Sequence, residues 1–135
     1  MPAQKGKDLL LKVDDGVGFT TVAGLRSHRL SFAAGTTDAT DQLSPGRWRE
    51  LLAGAGVRHA AIAGGGIFRD AASDALIRQL FFNDEIRNWQ VVVPDFGVIE
   101  GPFQITALEY AGEHDGELTF EMSLESAGQL TFTAI

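Results

Sequence analysis

The chain has no cysteine, which excludes disulfide staples and thiolate metal sites and fits synthesis in a reducing cytoplasm. It also lacks any apolar run near the roughly 18–20 residues that a membrane-spanning helix needs. The opening Met1-Pro2-Ala3-Gln4-Lys5-Gly6-Lys7-Asp8 has two lysines but no apolar stretch of adequate length behind them. No signal peptide and no membrane contact are therefore expected. A third shortage is of positive charge. Residues 88–135 carry eight acidic side chains and no lysine or arginine, whereas residues 1–87 balance 10 acids against 11 bases. A nucleic-acid binder displaces counterions with clustered cations, so tight binding of DNA or RNA is disfavoured.

What is present reads as one domain covering all 135 residues. The dominant period is two. Leu118, Phe120, Met122 and Leu124 alternate with Glu117, Thr119, Glu121, Ser123 and Glu125, the pattern of a strand with one wet face. After a turn at Ser126-Ala127-Gly128, Leu130, Phe132 and Ala134 alternate with Gln129, Thr131 and Thr133, which predicts a C-terminal hairpin. Further strands are expected at Asp8–Val13, Phe19–Ala23, Ser27–Phe32, Val57–Ile62, Trp89–Val93 and Pro102–Tyr110. One helix is expected, capped by Asp70 and ending near Asn83, with Ala72, Ala75, Leu76, Ile77, Leu80 and Phe81 as its apolar stripe. A mainly β fold with one helix packed on a sheet follows.

Recognised constellations of chemistry are missing. Gly64-Gly65-Gly66 is followed by Ile67-Phe68-Arg69 rather than the lysine of a phosphate loop, so a bulge or close backbone approach is the better reading. His28, His59 and His114 do not pair at helical or strand spacing and are read as surface or interface histidines. Glu113-His114-Asp115-Gly116-Glu117 lacks the ligand period of a calcium loop and reads as a solvated turn. No Gly-x-Ser-x-Gly elbow occurs. The expectation is a protein with no catalytic residues, no metal and no cofactor.

Two polar features stand out. The segment at about 34–54 is too long for a tight hairpin loop and contains Arg47-Trp48-Arg49. Arginine and tryptophan are enriched where surfaces are desolvated on assembly, so these three residues are expected at a subunit or ring interface; the alternative is that Trp48 folds back on its own domain. Glu117, Glu121 and Glu125 recur along one strand at about 13 Å. They make either an ordinary solvated face or a surface that repels DNA.

An ordered set of segments carries a resemblance: Lys7-Asp8-Leu9-Leu10, Val22-Ala23-Gly24-Leu25-Arg26, Trp48-Arg49-Glu50-Leu51-Leu52, Gly64-Gly65-Gly66-Ile67-Phe68-Arg69-Asp70, Pro102-Phe103-Gln104-Ile105-Thr106, and Ser126-Ala127-Gly128 with Leu130-Thr131-Phe132. Together they resemble the major tail protein, or tail tube subunit, family of long-tailed phages, and among these the gene transfer agent tail tubes. The resemblance implies a β-sandwich or partly open barrel flanked by one helix. It implies six-membered rings stacked into a tube, through which double-stranded DNA passes without specific binding. It also implies tail terminator, baseplate and tape-measure partners, and a place in the tail of a phage or gene transfer agent particle assembled in the bacterial cytoplasm. On that reading Glu117, Glu121 and Glu125 face the channel, and residues 34–54 reach a neighbour. The tube of a contractile tail or secretion apparatus and, less closely, a small β-barrel ligand-binding module are the alternatives.

Overall fold

The computed structural model describes residues 9–112, 114 and 116–134. Its strands are β1 (Leu10–Asp14), β2 (Phe19–Thr21), β3 (Leu25–Ala34), β4 (Arg58–Ile67), β5 (Ile86–Val93), β6 (Gly97–Ala111), β7 (Thr119–Ser126) and β8 (Thr131–Ala134), and its helix is α1 (Ala72–Phe82). All the strand pairs are antiparallel, in the order β2-β1-β5-β6-β7-β4-β3, with β8 added to β6. The sheet is open: β2 and β3 end the path.

β6 is the spine. Along one edge it pairs with β5 from Gly97 to Gln104. Along the other it pairs first with β8 at Gly97–Glu100 and then with β7 from Phe103 to Ala111. A bulge at Thr106 shifts the register between Ile105 and Ala107, and its hydroxyl donates to the Ser123 carbonyl at 3.2 Å. The expected C-terminal hairpin is therefore wrong in its pairing. The chain leaves β7 at Ser126, and β8 docks on β6 rather than folding back on β7. Ala127 N–H bonds to the Pro102 carbonyl at 2.9 Å and directs that crossing.

Period two predicts the core side of β7 from Phe120 onward, but not Leu118, which is exposed, nor β8, where Thr131–Ala134 are all exposed. Phe120, Met122 and Leu124 are buried, and Thr119, Glu121 and Glu125 are exposed. Leu11, Val13, Trp89, Val91, Ile99, Phe103 and Ile105 continue the same apolar face and meet Ile77 and Leu80 of α1. Each such side chain contributes about 1.5–3 kcal/mol by leaving water, so this face is the main stabilising element.

The helix forms where expected, but Asp70 does not cap it. Asp70 lies in the left-handed region at φ 52°. The residue before the helix is Ala71, which has no side-chain acceptor, and Asp74 serves instead. Its Oδ2 accepts the N–H groups of Ala71 (2.9 Å) and Arg69 (3.3 Å), which places a carboxylate where the helix leaves N–H groups unpaired. At the other end Asp84 is left-handed (φ 52°), with Glu85 N–H bonded to the Leu80 carbonyl and Asp84 N–H to that of Phe81. This is a Schellman closure in which aspartate takes the usual glycine position.

The glycine run lies within β4, and one of its members makes the expected close approach. A Cβ on Gly66 would sit 2.0 Å from the Gly24 carbonyl oxygen, so only glycine lets the β2–β3 turn close on β4.

Candidate assembly surfaces

β3 and β4 pair up to Ala34 and Arg58, and the chain between them does not form a slack loop. Gly35 N–H bonds to the Val57 carbonyl (2.7 Å), Leu52 N–H to Thr37 (2.8 Å), and Ala39 N–H to Glu50 (2.9 Å). These bonds extend the ladder into an arm. At no more than about 3.3 Å per residue, the six steps from Ala34 to Thr40 can carry its far end at most some 20 Å beyond the sheet. The base is a pinch, because a Cβ on Gly56 would overlap the Gly35 backbone.

Local hydrogen bonds shape the arm. Asp38 accepts from Thr40 N–H at 2.8 Å, and the Thr40 hydroxyl followed by its N–H holds the Asp38 carboxyl below the usual carboxylate range. The Thr40 hydroxyl oxygen also accepts Glu50 N–H at 2.7 Å. At the tip, the Ser44 hydroxyl oxygen accepts Asp41 N–H at 3.0 Å, and Asp41 accepts Leu43 N–H at 2.8 Å. The turn Pro45–Arg47 follows, with both Gly46 (φ 63°) and Arg47 (φ 60°) left-handed. Arginine in that region costs about 1–2 kcal/mol, and such strain clusters at functional positions.

Trp48 does not fold back on its own domain. It is 78% exposed, as are the neighbouring apolar side chains Leu43 (88%) and Leu52, and its ring lies against the Gly46 backbone. From Gly35 to Val57 only Ser44 is buried. Arg47 and Arg49 flank Trp48 in sequence, and both are exposed.

The three glutamates do not form one row on a strand. β7 starts at Thr119, so Glu117 lies in the turn before it and pairs with Arg26 at 3.3 Å. Glu121 and Glu125 do share the wet face of β7. Their cross-strand partners on β6 are Glu109 and Gln104. The structure thus adds Glu109, directly opposite Glu121. Like charges so placed are destabilising, and no single-strand pattern reveals the pairing.

His28 lies on β3. The residue is half-buried, and its two ring nitrogens are shielded and have no hydrogen-bond partner among the described residues. His59 is exposed. In the expected acidic turn, Glu113 and Asp115 lie outside the described residues, as do residues 1–8 and Ile135. Among the described residues no group of acids and histidines is arranged to hold a metal ion, and no helix is long and apolar enough to cross a membrane.

An open sheet with unpaired edge strands and an apolar arm held out in water defines a class: a small β subunit that completes itself by assembly, since such edges are otherwise aggregation sites. The chain belongs to the phage tail tube protein family, whose model matches residues 3–132. It is 54% identical to a protein in the tail of an empty gene transfer agent particle with C6 symmetry, covering 98% of this chain and 100% of that one, with a TM-score of 0.93. Against a protein of the native gene transfer agent virion the identity is 55%, with the same coverage and a TM-score of 0.92. The SPP1 tail tube shares the fold at 15% identity and a TM-score of 0.75, over 97% of this chain and 79% of that one. A comparison with curated proteins gives no match. The expected mainly β fold with one helix is correct, in its open form.

Proposed function

We propose that this chain is the non-enzymatic subunit of a gene-transfer-agent-type tail tube, forming six-membered rings that stack around a channel for double-stranded DNA. The observation that carries this reading is full-length similarity above 50% identity to a protein of a C6-symmetric tail. The physical features agree with it. Open edges at β2 and β3 give each subunit two lateral surfaces to pair, and ring closure removes both at once. Arg47, Trp48 and Arg49 sit at the tip of an arm long enough to reach a neighbouring copy. Glu109, Glu121 and Glu125 lie on the wet face of the sheet and belong to the third of the chain that lacks cations. Lining the channel, they would keep DNA from adhering by the same electrostatics that basic grooves use to hold it. Tail terminator, baseplate and tape-measure proteins are the further partners of such a tube, and the bacterial cytoplasm is its place of assembly.

Negative-stain microscopy of the purified protein at high concentration tests the reading. Rings or tubes are expected; a protein that stays monomeric at every concentration overturns it. The channel assignment has its own test. Particles carrying Lys at positions 109, 121 and 125 should assemble normally and transfer DNA poorly, and unchanged transfer would remove these glutamates from the channel.

A further inference from the structure

We infer that a groove at the foot of β4 receives an acidic corner of a second copy, formed where the β1–β2 turn meets the end of α1. This deepens the tube reading above, rests on it, and does not involve the arm. The groove has a volume of about 970 Å³ and opens between the first residues of β4 and β8. Register explains why it exists. β7 leaves the sheet at Ser126, so the β4–β7 ladder begins only at Ala61, while β8 pairs with β6 alone. The gap between the two strands is walled by Phe32, Phe96 and Phe132, which stay 62%, 58% and 52% exposed. Arg58 and His59 also line it, and among the described residues no acid does. Asp95, before Phe96 in the chain, lies outside the lining. The lining therefore suits an occupant that is both apolar and negative.

The corner has that chemistry. The Arg87 guanidinium joins its two halves, donating to the Asp14 carbonyl and to the Glu85 carboxylate, both at 3.2 Å. Within residues 14–19 and 82–87 the charged side chains are Asp14, Asp15, Asp84, Glu85 and that one arginine. Phe82 is 74% exposed and Val17 99%. A fourth phenyl ring among the three of the groove gains from edge and offset packing as well as from burial. The corner is also preformed. Asp15 accepts the Val17 and Gly18 N–H groups at 2.9 Å, and Asp14 accepts Gly16 N–H at 2.8 Å. The left-handed Asp84 closes the helix. A surface held in shape before contact loses little entropy on docking.

Corner and groove of one chain do not meet. β5 starts at the corner with Ile86 and ends at Val93, near Phe96, so its eight residues hold the two about 23 Å apart. The contact is therefore head-to-tail between copies, and such a contact repeats along an axis unless its rotation closes. Opposite charge on the two surfaces steers their encounter and sets which end meets which.

The absence of native cysteine makes disulfide trapping clean. Asn83→Cys with Gln129→Cys puts one thiol beside an intact Phe82 and the other in the groove. Oxidation of assembled tubes should give a non-reducing ladder of two copies and more, while each single-cysteine protein stays monomeric. Gly18→Cys with Thr131→Cys, on the turn's side of the corner, repeats the test should the first pair fail to assemble. Phe82→Ser should raise the concentration needed for tubes at least tenfold, with the monomer's denaturation midpoint unchanged. Three results overturn the inference while leaving the tube reading standing. They are intact tubes without a ladder from either pair, dimers from a single-cysteine protein (like ends meeting), and Phe82→Ser tubes at the parent's concentration. Failure of the unmodified protein to form tubes sinks the parent reading instead.

Discussion

The stretch 86–111 and the arm at 35–57 are similar in length but are stabilised in different ways. The first forms β5 and β6, and alternate side chains of both (Trp89, Val91, Ile99, Phe103, Ile105) enter one core. The second buries almost nothing and keeps its shape through turn hydrogen bonds made by Asp38, Thr40, Asp41 and Ser44. Its large apolar groups, Leu43, Trp48 and Leu52, stay in water. Burial makes the body a folded unit. The arm is pre-shaped by local bonds and lacks such apolar contacts, as the proposed docking on another copy requires. Pre-shaping lowers the entropy cost of docking, which explains why an exposed segment carries so many side-chain-to-backbone bonds.

The largest expected effect lies in the body. Phe103→Ala should cost about 3–5 kcal/mol in chemical denaturation, the range for removing a buried aromatic ring. A loss below about 1 kcal/mol would mean that the two regions are held by similar forces after all. Gly66→Ala should follow at about 1–3 kcal/mol, because the new methyl meets the Gly24 carbonyl, a backbone atom that cannot swing aside. Trp48→Ala reverses the pattern. Body stability should stay within about 0.5 kcal/mol of the parent, as for most exposed positions, while tube formation is lost. Normal tubes from this protein would take the arm out of assembly.

The smallest effect is one of pH. Asp15, in the β1–β2 turn, is pulled down from 3.8 to about 2, chiefly by the Thr20 hydroxyl and then by the Val17 and Gly18 N–H groups. A carboxyl depressed by folding stabilises the fold above its ordinary value, and that contribution fades as pH falls through the folded one. Protection of the Val17 and Gly18 amides, measured against their intrinsic exchange at each pH, should therefore fall between pH 4 and pH 2, with a much smaller change in Thr20→Val. Asp38 is shifted in the same direction by Thr40, so the arm should loosen on acidification too.

Much of this was legible from order along the chain. The alternation in 118–125 placed β7 and its buried side apart from Leu118, which is exposed and precedes the strand, and helical spacing placed α1. Elements interrupted by residues without strand character were cut short. β6 was expected to begin at Pro102, yet it starts at Gly97, because tertiary pairing with β5 and β8 holds glycines that have little strand preference of their own. β4 likewise runs through its glycines. The cap was assigned to Asp70 from its position, although the acceptor came from Asp74, one turn in.

By itself, then, the sequence determined the local periods, the polarity of each face and the absence of cations after Arg87, since each depends only on neighbours in the chain. Tertiary structure alone decided that β8 lies against β6, that Glu109 stands opposite Glu121 while Glu117 turns away to Arg26, and that Phe32, Phe96 and Phe132 meet around one groove. Register between distant strands fixes these juxtapositions, and it is set by packing of the whole core rather than by any segment's own preference.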